Sequence, residues 1–292
     1  HLSLRRQRQM CIRDSSWTPG EADPALSAIA ATPRLVVALD FDGTASPLIP
    51  DPMAARALPE VATQVTRLAA LPDTVVAYVS GRSMHDLRVI TEHTDDSLIA
   101  LAGSHGAQYW YPGVGDAATD GAESAEGSRE ELWEAARPII DRYEGAELEP
   151  KTFGMGVHTR TATPEVEKAV FAEIDALVAE RFPHWRRRAG HRVLEFSSRK
   201  EGKDAAMAAL REHFGATAIL FAGDDVTDED AMRVLTGDDL GVRVGPGESA
   251  AELRVENPQQ IALLLEALAD ERTSRCLLYT SPSPRDQRGS RM

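Results

Sequence analysis

Cysteine is almost missing from this chain of 292 residues. There are two, Cys11 and Cys276, both near the ends. That excludes a disulfide scaffold and a cysteine-based zinc site, and it suits a reducing compartment. Aromatic residues make up only 5% against 42% hydrophobic residues overall, the balance of an ordinary globular chain. No apolar run approaches the roughly 18 residues that a membrane span requires. The opening HLSLRRQRQM is too polar for a secretory signal, so a cytoplasmic location and no membrane partner are expected. Basic residues are also in deficit, 32 against 46 acidic, for a net charge of −14. A nucleic-acid partner is therefore not expected. The length fits one large domain or two modest ones.

The ends differ from the middle. Residues 1–16 and 271–292 each carry net +3, and both cysteines lie in them, so residues 17–270 carry −20. The string SPSPRDQRGSRM has no apolar period. Both tails are expected to be disordered or non-native.

Between them, short Val/Ile/Leu runs at 35–39, 74–79, 98–102, 219–222 and 240–244 each end in a polar, glycine-containing segment. Such runs are the mark of strands buried on both faces. Helical periods at 59–71, 83–92, 202–214 and 227–235 alternate with them. The pattern predicts an α/β protein with a doubly wound, mostly parallel sheet, whose ligands sit beyond the carboxyl ends of the strands. Residues 113–195 break the alternation. A loop at 113–127, helices at 130–144 and 164–181, and strands at 154–160 and 192–196 predict an inserted α+β cap. The core is then 17–112 and 196–270.

Four segments carry chemistry. Asp40-Phe41-Asp42-Gly43-Thr44 closes the first run. Paired carboxylates can hold Mg²⁺, attack phosphorus and transfer a proton; the same string also fits an acidic turn. Ser80-Gly81-Arg82 follows the second run and offers a hydroxyl and free amides to a phosphate, or merely an ordinary helix cap. Lys203 opens a helix, where a cation is unfavourable unless it has another task. The stretch Asp224-Asp225-Val226-Thr227-Asp228-Glu229-Asp230 holds five acids in seven residues, which repel one another without a cation. Its last three also suit a helix's first turn.

Together, in this order, the four segments resemble the haloacid dehalogenase superfamily. The blocks LDFDGTASPLIPDP, VSGR, AGSHGA, VHTR, HRVLEF and FAGDDVTDEDA resemble those of trehalose-6-phosphate phosphatases within it. The resemblance covers about 34–268. It implies Asp40 as nucleophile and Asp42 as general acid and base. Thr44, Ser80, Gly81 and Lys203 would bind the phosphoryl group. Asp40, the carbonyl of Asp42 and Asp224 would hold Mg²⁺, with Asp225 and Asp228 as ligands or support. His105, Lys151, His158, Arg160, Arg192 and Glu195 are candidates to contact the sugar. The implied activity is release of phosphate from trehalose 6-phosphate, with possible coupling to a trehalose-phosphate synthase. Alternatives are another capped sugar phosphatase, a phosphomannomutase-like enzyme, or a silent sugar-phosphate sensor. Two positions depart from the family's pattern: Gln108 replaces a usual Glu, and Thr159 a common Tyr. The run Arg186-Arg187-Arg188 is expected to be a solvated face, and His85, His93 and His213 receive no role.

Overall fold

The computed structural model describes residues 15–117, 126–190 and 192–280. Residues 1–14 and 281–292 of the expected tails lie outside the described residues.

In chain order the elements are β1 (Ser15–Ser16), α1 (Pro24–Ala30), β2 (Leu35–Leu39), α2 (Pro59–Ala69), β3 (Thr74–Val79), α3 (Met84–Ile90), β4 (Ile99–Gly103), β5 (Gln108–Tyr111) and β6 (Gly115–Ala117). Then follow α4 (Glu126–Ile140), β7 (Glu147–Lys151), β8 (Gly154–His158), α5 (Pro164–Arg181), β9 (Arg186–Gly190) and β10 (Val193–Ser197). The chain closes with α6 (Lys203–Phe214), β11 (Ala218–Gly223), α7 (Asp228–Val234), β12 (Leu240–Val244), β13 (Leu253–Val255) and α8 (Pro258–Thr280).

One sheet runs β1-β13-β12-β11-β2-β3-β4-β5-β6. It is parallel from β1 through β4 and antiparallel at β5 and β6. All five residues of β2 are buried, so the strand has no polar face and reads as a continuous apolar run. Its side chains alternate between two cores. Leu35, Val37 and Leu39 pack with residues of α1, α2, α3 and α8, while Val36 and Ala38 pack with residues of α6 and α7. This is the doubly wound arrangement expected from the alternation of runs and helical periods.

A second sheet, β7-β8-β10-β9, is wholly antiparallel. Helices α4 and α5 cover one face of it, with Leu132, Ala136, Ile140, Val170, Ile174 and Val178 packed on Met155, Val157, Leu194 and Phe196. The period of two along each strand then turns Glu149, Lys151, Glu195, Arg186 and Arg188 to the opposite face. That polar face meets the carboxyl edge of the main sheet.

Four boundaries differ from expectation. Gly115–Ala117 belongs to the edge of the main sheet rather than to the cap, and Phe196–Ser197 belong to the cap sheet rather than to the core. Strands β7 and β9 were not foreseen, because ELEPK and RRRAG are polar on the face that looks away from the cap helices. At the C-terminus the helix continues past residue 270. Buried Arg272 donates through Nε to Thr74 Oγ1 at 2.9 Å and through NH1 to the carbonyls of Ala30 and Thr32 at 3.2 and 3.1 Å. A positive residue that the charge pattern assigned to a loose tail is thus a staple for the amino-terminal end of the sheet. Ser15 and Ser16 likewise pair with Leu253 and Arg254.

Candidate active site

Neighbouring strands β11, β2 and β3 end together, and each hands its next residues to one edge. Asp224 follows β11, Asp40 follows β2 and Ser80 follows β3. The Asp40 amide still donates to the Ala222 carbonyl at 2.9 Å, which locks the two acidic segments side by side.

Lys203 explains its odd place at the first position of α6. Its Nζ donates to Asp40 Oδ1 and to Asp228 Oδ1, each at 2.5 Å, and its side chain is 3% exposed. Burial alone would lower its basicity, but Asp228 and Asp40 outweigh burial and push it above the usual lysine range. Asp40, Asp224 and Asp228 each offer one carboxylate oxygen, all within 4.8 Å of one another. Burial, opposed by Lys203 and reinforced by Asp228 and Asp224, raises Asp40 well above the carboxylate range. Asp224 is pushed up to about 7, first by burial and then by Asp228. Carboxylates packed so closely with one cation among them are under-neutralised, and an oxygen-preferring divalent ion fits that donor set.

Several other residues shape this cluster. Thr44 donates through Oγ1 to Asp224 Oδ1 at 3.2 Å. Gly43 lies at φ +86°, and a Cβ there would stand 2.1 Å from Asp224 Oδ2. Only glycine allows the turn to approach that carboxylate. Asp225 stays outside the cluster. Its amide donates to Asp228 Oδ2 at 2.9 Å, its carbonyl accepts from Arg243 at 3.0 Å, and its carboxylate lies near Gly190 of the cap. The carboxylate of Asp42 is also apart from the triad. Arg82 grips it in a fork, Nε to Oδ2 and NH2 to Oδ1, both at 2.6 Å. Arg82 was not foreseen, although its place two residues after Ser80 was the available signal.

Ser80 is 2% exposed, and its Oγ accepts from the Arg82 amide at 3.2 Å. Helix α3 begins only at Met84, capped by Ser83. Gly81 abuts His105, whose Nε2 would lie 2.5 Å from a Cβ at position 81. The turn Ser104-His105-Gly106 has three successive positive φ values, and the His105 amide donates to the Ser80 carbonyl at 2.9 Å. Gln108 fixes this turn, its Oε1 accepting from Ser104 Oγ at 2.8 Å and from the Met84 amide at 3.0 Å. The departure at 108 therefore falls on a loop anchor.

The polar face of the cap sheet completes the site. Glu195 Oε2 meets His105 Nε2 at 3.0 Å, and Oε1 meets Lys151 Nζ at 2.6 Å. Lys151 also pairs with Glu149 at 3.2 Å, and Glu149 with His158 Nε2 at 2.6 Å. Burial alone would raise Glu195, but Lys151 and His105 hold it well below its ordinary value. Glu149, missed from sequence, is held at about 2: burial opposes, and the hydrogen bond from His158 and the charge of Lys151 prevail. Burial, opposed by Glu195, lowers His105.

Two sugar candidates fall elsewhere. Arg192, at φ +60°, donates to the Ala162 carbonyl and pairs with Glu167 at 3.3 Å, so it serves the cap's own fold. Thr159 is fully buried beside it, its hydroxyl on Glu167 at 2.5 Å. Arg160 is exposed and has no ion pair among the described residues. The expectation of a solvated arginine run is corrected by the strand period. Arg187 alone faces outward, onto Asp175 at 2.6 Å, while Arg186 pairs with Asp230 at 2.6 Å and Arg188 is buried. Glu229, read as a helix-start acid, is buried against Arg243 at 3.5 Å.

Comparison with known proteins agrees with this geometry. The trehalose-phosphatase family profile matches residues 38–256. A trehalose 6-phosphate phosphatase of Zea mays is 30% identical over 87% of this chain and 74% of its own length. The trehalose-phosphate phosphatase of Mycobacterium avium is 32% identical over 80% of this chain, which spans 62% of that protein. The C-terminal domain of the Candida albicans trehalose-6-phosphate phosphatase shares the fold, with TM-score 0.75 and 20% identity over 88% of this chain and 99% of that one. No helix among the described residues is long and apolar enough to cross a membrane. With its profile match spanning most of the folded region, the chain belongs to the trehalose-phosphatase family.

Proposed function

We propose that this chain is a Mg²⁺-dependent phosphoric monoester hydrolase that converts trehalose 6-phosphate to trehalose and phosphate. The observation that carries the reading is Lys203 bridging Asp40 and Asp228 beside Asp224, at the carboxyl edge of a parallel sheet in a family member. Asp40, Asp224 and Asp228 would hold the Mg²⁺, which when bound offsets the charge of carboxylates and phosphoryl oxygens.

Asp40 attacks phosphorus; an Oδ–P bond forms as the bond from phosphorus to the sugar oxygen breaks. Asp42 gives that oxygen its proton as trehalose leaves. Water then attacks the aspartyl phosphate, the Oδ–P bond breaks, and Asp42 takes the proton back. Asp42 must let go of the Arg82 fork for its carboxyl to reach the leaving oxygen. Thr44, Ser80, the amides around Gly81 and Lys203 receive the phosphoryl oxygens. Lys151, His158, Glu195 and His105, with Glu149 between them, present donors and acceptors to the sugar hydroxyls from the opposite side. Water is excluded where the polar cap face closes on the core edge. Coupling to a synthase is supported by a relative in Thermoproteus tenax that is a bifunctional trehalose-6-phosphate synthase/phosphatase, 31% identical over 84% of this chain, which spans 33% of it.

A phosphate-release panel across trehalose, sucrose, glucose and mannose 6-phosphates with Mg²⁺ tests the reading. Fast release from the trehalose ester alone is expected. Preference for another ester would point to a different sugar phosphatase, an isomer instead of free phosphate to a mutase, and no release at all to a sensor.

A further inference from the structure

Strand β9 places three arginines in a row, and among the described residues only two have counter-ions. Arg187 holds Asp175 at 2.6 and 2.9 Å, and Arg186 holds Asp230 at 2.6 Å. Arg188 is 8% exposed, yet among the described residues it makes no ion pair. Its side-chain hydrogen bond goes to a neutral acceptor, the carbonyl of Glu201. A guanidinium so far removed from water without a counter-charge is unfavourable unless something supplies one.

The nearby carboxylates do not. Arg188 stands directly opposite Glu195 in the β9–β10 pairing and so shares its site-facing side of the cap sheet. Both oxygens of Glu195 are taken, one by Lys151 and one by His105. Asp230 is held by Arg186 at 2.6 Å, and Asp204 lies 3.9 Å from the same Arg186 guanidinium. On the core side Arg188 reaches the backbone two residues before Lys203, which opens the helix at the phosphoryl pocket. Burial, with Arg186 adding to it and Glu195, Asp230 and Asp204 opposing, lowers the basicity of Arg188. The Arg188 guanidinium from the cap and Lys203 from the core thus meet at one short segment, 201–203.

We infer that Arg188 is a substrate-binding residue, a cap-borne guanidinium that takes the phosphate of the sugar phosphate as its missing counter-ion. The inference rests on the sugar-phosphatase reading for its substrate but not for its chemistry, since any phosphate there would serve. A planar fork suits two phosphoryl oxygens at once.

The test is calorimetric binding of inorganic phosphate and of trehalose, each with Mg²⁺, to the full chain and to Arg188→Gln, with Arg187→Gln as the outward-facing control. Loss of one charged hydrogen-bonding group predicts phosphate binding weakened about tenfold to hundredfold in Arg188→Gln. Trehalose binding and the Arg187→Gln variant should stay within about twofold of wild type. KM for trehalose 6-phosphate should rise with phosphate Kd. Unchanged phosphate affinity in a folded Arg188→Gln protein, whatever its melting temperature, would overturn the inference, as would a loss confined to trehalose. Should the glutamine variant not fold, Arg188→Lys decides: several-fold weaker phosphate binding is expected, and wild-type affinity contradicts it. Absence of phosphate release by the wild type would instead defeat the sugar-phosphatase reading and leave the phosphate-binding comparison intact.

Discussion

Removal of the Lys203 charge, as in Lys203→Met, isolates the electrostatics of the buried cluster. The ammonium is 3% exposed and, among the described residues, the only cation bonded to Asp40 and Asp228, which are 8% and 0% exposed at the side chain. Breaking a buried ion pair by deleting one partner typically destabilises by about 3–5 kcal/mol, because the other charge is left uncompensated. For a domain of this size that is a fall of about 6–20 °C in melting temperature. The deficit should depend on pH with a definite sign. Asp40 and Asp224 titrate above the ordinary carboxylate range in the folded protein, Asp224 at about 7. Groups raised in this way favour the folded state fully only below their unfolded values, and that contribution is lost as pH rises through the folded ones. Without Lys203 both rise further, so the deficit is largest near pH 8 and shrinks towards pH 5. Thermal denaturation of the metal-free variant and wild type across that range measures it. A deficit under about 1 kcal/mol, or one that does not change with pH, would refute the claim that Lys203 neutralises these carboxylates.

Three further outcomes follow from the site. Gly43→Ala forces a Cβ to 2.1 Å from Asp224 at φ +86°, so it should lose about 1–2 kcal/mol and at least tenfold in turnover; wild-type activity would mean that the Asp224 position does not matter. Mg²⁺ at about 100 times its Kd should stabilise the protein by about 2.7 kcal/mol, and by more at pH 8 than at pH 5, because Asp224 must lose its proton; calorimetric melting with and without chelator reads this. Gln108→Glu keeps an oxygen for both Ser104 and Met84, so melting should shift by less than about 1 kcal/mol and KM should hold within about twofold; a large KM change would place residue 108 on the sugar.

How legible each part was depended on whether its signal was local. The strand runs were plain because β2 and its neighbours are buried on both faces. Lys203 stood out because a cation at a helix start needs a reason, and the structure supplies Asp40 and Asp228. The cap's outer strands were opaque. ELEPK alternates charge with apolar residues while RRRAG runs three arginines together, and which side chains matter depends on the carboxyl edge of the main sheet that lies against them. Arg188 illustrates the point, since position along the strand, not residue type, separates it from outward-facing Arg187. The place of Arg272 is hidden from composition, which cannot reveal that the carbonyls of Ala30, Thr32 and Asp73 converge on one side chain. Asp225 was grouped with the metal ligands on proximity in sequence alone, whereas the turn before α7 points Asp228 inward instead.

The proposed function turns on Asp40 as the nucleophile that opens a covalent route from trehalose 6-phosphate to trehalose. Its most direct measurement compares phosphate and trehalose release by wild type and by Asp40→Asn, at saturating Mg²⁺ and with both proteins shown to be folded. Equimolar products are expected from the wild type, and a loss of at least about 10³-fold in the variant. Comparable turnover by Asp40→Asn would contradict it.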